Sequence, residues 1–276
     1  MSVSGRLIVC PTPIGNLEDV TLRVLAALRA ADVVACEDTR HTRTLLDRYG
    51  MTGELVSYHE HNERERAAEL VERMRRGAVV ALVSDAGMPL VSDPGYVLVQ
   101  ACIAAGLSIE VLPGPSSALA ALVASGLPSD RWRFVGFLPR RAAELDRLLL
   151  ATPETLVAFE SPRRLVATLE RLAAGDPARA VAVCRELTKL HEEVRRGSAA
   201  EIAEHYRREP PRGEVVLVVA AAPPGAQPDV QERAAAALRA LVEAGARPRP
   251  AAKVLAELTG VPANRLYGAL TAPAER

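Results

Sequence analysis

Short apolar stretches alternate with amphipathic stretches along the first 113 residues. Five stretches are continuously apolar and rich in β-branched residues, which predicts buried strands: Leu7–Cys10, Val33–Cys36, Leu55–Tyr58, Val79–Val83 and Ile109–Leu112. Between them lie four stretches with helical periodicity: Thr21–Ala31, Thr42–Tyr49, Asn62–Arg76 and Tyr96–Ala105. Strands that alternate with helices predict an α/β domain with a mostly parallel sheet over residues 1–113.

A second α/β domain is predicted over residues 114–222. Its strand-like stretches are Arg133–Phe137, Thr155–Phe159, Ala180–Glu186, Glu192–Arg196 and Val215–Ala220. The last three follow each other closely, which indicates antiparallel pairs and a mixed sheet. Residues 221–229 then hold three prolines and one glycine, as a linker does. Residues 229–276 carry three helical patterns and predict a small helical domain of helix-turn-helix shape.

Composition and charge narrow the class of protein. The chain has 276 residues, of which 49% are hydrophobic, and its 34 basic side chains balance 34 acidic ones. No overall field attracts nucleic acid, so any RNA binding requires a local basic patch. The chain lacks a signal-peptide pattern and an apolar run near the roughly 20 residues that span a bilayer, so a cytoplasmic protein without a membrane partner is expected. The four cysteines are far apart, and no metal site is expected.

Three loops that follow predicted strands are candidates for a binding site. They are residues 11–16, 84–95 and 113–117, and ligands bind at the carboxyl ends of strands in such sheets. No two of the 18 glycines are separated by a single residue, so the glycine-rich phosphate loops are absent. The pattern favours a polar ligand that is not held by phosphates. Asp93, which precedes Pro94, is expected to cap the next helix, and Ser116 and Ser117 to open another.

Polar clusters also follow the strands, at residues 37–41, 59–62, 159–164 and 185–189. Solvent exposure explains any one of them, but four clusters at strand ends favour a shared site. His59 and His61 lie two residues apart without a third ligand, which disfavours a metal site.

Nine sequence runs in one order carry a family resemblance. They are PTPIGNLEDVTLR, CEDTRHTRTLL, SYHEHN, LVSDAGMPLVSDPGY, LPGPSSALAAL, GFLPR, FESPRR, CRELTKLHEE and GEVVLVV. Between Leu7 and Val219 the chain resembles the bacterial 16S rRNA cytidine 2′-O-methyltransferases of the tetrapyrrole-methylase superfamily. The last fifty residues resemble the helix-turn-helix-like domain of that family.

The resemblance implies S-adenosylmethionine as methyl donor and the 2′-hydroxyl of cytidine 1402 in 16S rRNA of the small ribosomal subunit as acceptor. It also implies a homodimer and a two-domain methylase fold that holds the donor between the domains. By position in the superfamily pattern, the implied donor contacts are Pro13, Asp85, Ala86, Gly87, Leu90, Ser116, Ser117, Glu160 and Leu187.

Transfer to a hydroxyl is a displacement in which positioning supplies most of the acceleration and a base assists. The candidate bases are Asp38, His41, His59 and Glu160, with Lys189 and Arg40 as cations that hold phosphate or lower the pKa of the hydroxyl. The segment Arg131–Arg147 holds five arginines against Glu144 and Asp146, and a solvated helix face explains it equally well. The candidate RNA contacts are Arg40, Arg131, Arg133, Arg140, Arg141, Arg163 and Arg164.

Two other functions remain open from the sequence. One is a precorrin- or sirohydrochlorin-type tetrapyrrole C-methyltransferase, against which the runs EDTRHT and FESPRR and the helical domain stand. The other is a regulator that senses a small molecule through its α/β part and binds DNA through the helix-turn-helix-like domain.

Overall fold

A computed structural model describes residues 5–223 and 230–271. The chain divides into two compact units, Met1–Ala221 and Ala222–Arg276. The first unit contains two five-stranded sheets and the second contains helices. The predicted division of the first unit at residues 113 and 114 stays a prediction, because both sheets belong to one compact unit.

The first sheet is entirely parallel. Its strands are β1 (Arg6–Val9), β2 (Val33–Cys36), β3 (Glu54–Ser57), β4 (Val79–Val83) and β5 (Ser108–Val111), in the order β3-β2-β4-β1-β5. Its helices are α1 (Leu22–Ala30), α2 (Thr39–Arg48), α3 (Glu63–Arg75) and α4 (Tyr96–Ala104). Leu7 and Ile8, neighbours on β1, belong to separate buried clusters. Because helices cover both faces, the central strands are apolar at every position except the exposed Arg6 that starts β1, and the predicted α/β sheet is confirmed.

The second sheet is mixed, as predicted. Its strands are β6 (Trp132–Phe137), β7 (Thr155–Glu160), β8 (Ala180–Arg185), β9 (Glu193–Ser198) and β10 (Val215–Val219), in the order β6-β7-β10-β8-β9. Only the β6–β7 pair is parallel. One face packs on α5 (Ser117–Ser125), and the other on α6 (Ala142–Ala151), α7 (Pro162–Gly175) and α8 (Ala199–Arg208).

The second unit consists of three helices over the described residues. They are α9 (Val230–Glu243), α10 (Pro248–Thr259) and α11 (Ala263–Thr271). Their core is small and includes Leu238, Ala252 and Leu266. Gly260 has a φ of 72°, a left-handed conformation that ends α10 and separates it from α11. The three predicted helices are therefore present.

No helix among residues 5–223 and 230–271 has the length and apolar character needed to cross a membrane. In the same ranges, no three His, Cys, Asp or Glu side chains are grouped so that they could share a metal ion.

Candidate active site

A cleft of about 390 Å³ lies where the loops after the strands of the first sheet meet the second sheet. On the side of the first sheet and α5 it is lined by Ile14, Ala86, Gly87, Met88, Val91, Ser92, Asp93, Ser116 and Ser117. The second sheet and its loops contribute Phe137, Phe159, Glu160, Ser161, Pro162, Cys184, Leu187, Gly213, Glu214, Val215 and Val216. Apolar walls with a few polar groups are typical of a site for a small organic ligand.

Backbone contacts bring the three predicted loops together. The backbone N–H of Thr12 donates to the carbonyl of Gly87, with an N···O distance of 2.8 Å, and the N–H of Gly87 donates to the carbonyl of Thr12 at 3.0 Å. The Thr12 hydroxyl donates to the carbonyl of Ser84 at 3.0 Å. At Gly114, an added Cβ would lie 2.7 Å from Cβ of Pro11, so the loop after β5 packs tightly on the loop after β1. Because these strands are parallel neighbours, their following loops meet at one edge.

Six of the nine implied donor contacts line the cleft: Ala86, Gly87, Ser116, Ser117, Glu160 and Leu187. Ser116 is the N-cap of α5, as predicted, and its hydroxyl accepts from the N–H of Leu119 at 3.5 Å. Gly87 has a φ of 79°, which few other residues adopt, and its missing side chain leaves the cleft open.

The other three implied donor contacts lie outside the lining. Pro13 is buried beside Ile14 in the loop after β1. The Leu90 side chain packs against Gly95, where an added Cβ would lie 2.7 Å from Cδ1 of Leu90. The carboxylate of Asp85 is occupied by two neighbours: it accepts from the backbone N–H of Asp38 at 2.9 Å and lies 3.1 Å from Nδ1 of His41. Asp85 therefore orients the imidazole of His41.

Among the candidate bases, Asp38 is poorly suited to accept a proton. It is the N-cap of α2, and its carboxylate accepts from both the backbone and the guanidinium of Arg40. These hydrogen bonds hold the pKa of Asp38 well below its usual range. Arg40, a candidate RNA contact, is exposed but already paired in this way.

Glu160 lines the cleft, but its buried carboxylate is already satisfied. It accepts from the Thr168 hydroxyl and from the backbone N–H of Ser161, each at 2.7 Å, and Nη1 of Arg164 lies 3.5 Å away. These contacts hold the carboxylate of Glu160 against α7 and the residue that precedes it.

The candidate base His59 has one close polar neighbour, and the candidate cation Lys189 has two. Nε2 of His59 lies 3.3 Å from the amide nitrogen of Asn62, and Nδ1 is buried without a hydrogen-bond partner among the described residues. The amine of Lys189 lies 3.0 Å from carboxylate oxygens of both Glu186 and Glu214.

Asp93 is a cleft residue that the sequence did not indicate as functional. The expectation that it caps the next helix is wrong, because α4 starts at Tyr96 with Gly95 as its N-cap and no side-chain cap. Burial raises the pKa of Asp93 to about 7. The nearby carboxylates of Glu37 and Asp85 add to this shift, and a hydrogen bond with Ser84 opposes it. Asp93 is therefore a carboxyl in the cleft that changes protonation near neutral pH.

Apart from Arg40, the candidate RNA-binding arginines form two exposed groups and the half-buried Arg164. Arg140, Arg141 and Arg163 are exposed and follow within four residues of the cleft residues Phe137 and Pro162. Arg131 and Arg133 are exposed at the opposite end of β6, about 13 to 20 Å from Phe137 at roughly 3.3 Å per residue. Within the described chain, no carboxylate lies within 4.0 Å of any of these five guanidinium groups.

Arg164 differs from its neighbour Arg163. It is half-buried, and its guanidinium donates to the backbone carbonyls of Leu138 at 3.1 Å and Pro139 at 2.7 Å. Together with the proximity to Glu160, these bonds give Arg164 a role within the fold.

The chain belongs to the tetrapyrrole (corrin/porphyrin) methylase family, whose profile matches residues 6–203. It is similar to proteins named ribosomal RNA small subunit methyltransferase I. The one from Mesorhizobium japonicum is 48% identical over 95% of this chain and 90% of its own length. The one from Micromonospora olivasterospora is 44% identical over 99% and 88%. A crystal structure of uroporphyrin-III C-methyltransferase from Thermus thermophilus with S-adenosylhomocysteine has a TM-score of 0.56 and 23% identity, over 78% of this chain and 97% of that one.

Proposed function

We propose that this protein transfers the methyl group of S-adenosylmethionine to the 2′-hydroxyl of cytidine 1402 in 16S rRNA of the small ribosomal subunit. The observation that carries the proposal is the likeness to ribosomal RNA small subunit methyltransferase I over almost the whole length of both chains. The geometry of the cleft supports the donor, and the exposed arginines near it support the acceptor.

The cleft suits a nucleoside-type donor that carries no phosphate. Apolar side chains such as Ile14, Phe137 and Leu187 provide surfaces for an adenine ring. Ser116 and Ser117 open α5, where backbone N–H groups and the helix dipole favour a carboxylate such as that of the methionine part. A relative in fold was crystallised with S-adenosylhomocysteine, the product of such a donor.

The reaction is a displacement at carbon. The ribose oxygen attacks the methyl carbon in line as the carbon–sulfur bond breaks, and S-adenosylhomocysteine leaves with the electron pair on sulfur. The hydroxyl proton passes to a base. Asp93 is suited to this task because it lines the cleft and because its pKa is about 7, close to the working pH of a base. Positioning the two substrates supplies the larger part of the acceleration.

The acceptor would be held through its phosphates by Arg140, Arg141 and Arg163. Their charges are exposed and unneutralised within the described chain, and they lie close in sequence to cleft residues. Phosphate contacts orient a nucleic acid without reading its bases, so they fit a role in presenting one nucleotide to the cleft. We place the enzyme in the cytoplasm, with its rRNA substrate.

A homodimer also belongs to this proposal. Leu119 and Val123, one turn apart on α5, are exposed apolar side chains that a second copy could cover. Sedimentation velocity should find a dimer at micromolar concentration, and a monomer would contradict this part of the proposal alone.

The alternative functions are not favoured. The tetrapyrrole methyltransferase with bound product is only 23% identical, so it supports the fold, whereas the relatives above 40% identity are named for ribosomal RNA. A DNA-binding sensor has no support from these relatives.

The decisive experiment incubates the protein with labelled S-adenosylmethionine and small ribosomal subunits or 16S rRNA that lack the modification. Mass spectrometry of ribonuclease fragments should find one 2′-O-methylated cytidine, at position 1402. Label on a tetrapyrrole and none on RNA would contradict the proposal.

The variant Gly87→Arg tests whether the methyl donor binds in this cleft. A side chain at this position fills the cleft, so calorimetry should detect no S-adenosylhomocysteine binding. Gly50→Arg is the matched control, because Gly50 also has a positive φ but faces open space. Equal affinity of both variants would place the donor elsewhere.

A further inference from the structure

The turn that follows β8 has an unusual backbone. Glu186 and Thr188 have φ values of 50° and 65°, although neither is glycine. Residues other than glycine rarely adopt this conformation, and they keep it only where surrounding contacts hold them. Leu187 lies between the two and lines the cleft. A strained turn therefore forms part of the cleft wall.

Lys189 connects this turn to the start of β10. Its amine lies 3.0 Å from Oε1 of Glu186 and 3.0 Å from Oε2 of Glu214. The same Glu186 oxygen accepts from the backbone N–H of Glu214 at 2.9 Å. Burial alone would lower the pKa of Lys189, but hydrogen bonds with Glu214 and Glu186 outweigh it and hold the pKa above its usual value. The amine therefore stays protonated and forms ion pairs with both carboxylates.

The turn also packs against the first sheet. The backbone N–H of Asn16 donates to the Thr188 hydroxyl at 3.1 Å. At Gly15, an added Cβ would lie 2.4 Å from Cγ of Lys189 and 2.8 Å from the Thr188 hydroxyl oxygen. Only glycine allows this close approach. The loop that supplies Ile14 to the cleft thus rests on the aliphatic part of Lys189.

We propose that Lys189 is a positioning residue for the methyl donor. Its ion pairs with Glu186 and Glu214 hold the strained turn, so that Leu187 forms the cleft wall and the loop after β1 packs against it. This inference rests on the proposed function, since it takes S-adenosylmethionine as the ligand of the cleft. It assigns Lys189 no contact with the reacting atoms or with RNA.

Calorimetry with S-adenosylhomocysteine tests the inference without RNA. Lys189→Met should raise the dissociation constant about tenfold, because it removes the cation that links Glu186 of the turn to Glu214 at the start of β10. Lys189→Arg should recover most of the affinity, since it keeps the charge. Lys253→Met, the matched control at an exposed lysine of α10, should leave the affinity unchanged.

Two further variants change residues that lie next to the Lys189 side chain. Gly15→Ala should weaken binding to a similar degree, because the added methyl group displaces the Lys189 side chain. Glu214→Gln removes one partner of Lys189 on an exposed side chain and should raise the dissociation constant about threefold. If Lys189→Met does not fold by circular dichroism, Gly15→Ala decides the question, because Gly15 does not line the cleft.

Measurements of KM and kcat distinguish a positioning role of Lys189 from a catalytic one. In Lys189→Met, KM for S-adenosylmethionine should rise while kcat at saturating donor stays within about twofold of the wild-type value. Unchanged affinity in Lys189→Met, Gly15→Ala and Glu214→Gln would overturn the inference, as would a large loss of kcat with normal donor affinity. A wild-type protein that binds no S-adenosylhomocysteine would overturn the proposed donor together with the inference.

Discussion

At the scale of single residues, the sequence pattern did not predict the position of Asp93 in the cleft. An aspartate before a proline, close to the start of a helix, normally indicates a cap. The capping position is instead Gly95, and the path of the loop after β4 leaves Asp93 in the cleft beside Glu37 and Asp85. Sequence separation does not reveal which carboxylates a folded loop brings together, so neither the position nor the raised pKa could be predicted.

The first prediction concerns catalysis by Asp93. Asp93→Asn should lower kcat by about a hundredfold or more, because an amide cannot accept the hydroxyl proton. In the wild-type enzyme the rate should rise with pH through about 7, where Asp93 ionises, and the variant should lack this step. Asp47→Asn, an exposed position on α2, is the control. A full rate in Asp93→Asn with an unchanged pH profile would remove Asp93 from the mechanism.

The second prediction concerns stability at the same residue. The pKa of Asp93 is raised from 3.8 to about 7, so between these pH values the folded protein keeps a proton that the unfolded chain releases. Stability therefore falls as pH rises from about 4 to about 7. Asp93→Asn should unfold at higher urea concentration than the wild type at pH 8, by on the order of 1 kcal/mol or more, with little difference near pH 4. An equal difference at both pH values would contradict the raised pKa.

At the scale of elements, the class of each sheet follows from local pattern but the strand order does not. Buried strands that alternate with helices predicted the parallel sheet, and strands in close succession predicted antiparallel pairs. The position of β1 between β4 and β5, and the parallel β6–β7 pair, depend on crossovers between distant segments. The same holds for the close approach of Gly15 to Lys189, which joins residues 174 positions apart in the sequence.

The third prediction concerns the start of α7. Arg163 and Arg164 are adjacent in sequence, but successive helical residues face different directions, and only Arg164 turns inward to Leu138, Pro139 and Glu160. Arg164→Ala should lower the free energy of unfolding by about 1–3 kcal/mol, because the carbonyls of Leu138 and Pro139 lose their side-chain donor and the buried Glu160 carboxylate loses its nearby cation. Arg163→Ala should leave stability unchanged. Urea denaturation of both variants tests this, and equal stabilities would contradict the assigned contacts.

At the scale of the whole molecule, basic and acidic side chains are equal in number, but only some of the arginines pair with carboxylates. Many surface arginines pair with carboxylates within one helix or between neighbouring elements, as Arg73 does with Glu54 and Glu69. Those at residues 131, 133, 140, 141 and 163 are unpaired within the described chain. The sequence indicated a basic patch between residues 131 and 147. Only the structure separates its members by their distance from the cleft, because that distance depends on the direction of β6.

The last prediction uses this separation. The double variant Arg140→Ala/Arg141→Ala should lower kcat/KM for RNA by about tenfold or more at moderate salt, because the phosphates near the target nucleotide lose their partners. Each lost phosphate contact should also reduce the slope of log affinity against log salt concentration by about one. S-adenosylhomocysteine affinity should be unchanged, since neither arginine lines the cleft.

Arg131→Ala/Arg133→Ala removes the same charge at the far end of β6, so a smaller effect is expected. Filter binding and methylation assays over a range of salt concentrations would compare the two pairs. A larger effect at the far end would mean that the RNA approaches along β6 from the side opposite the cleft.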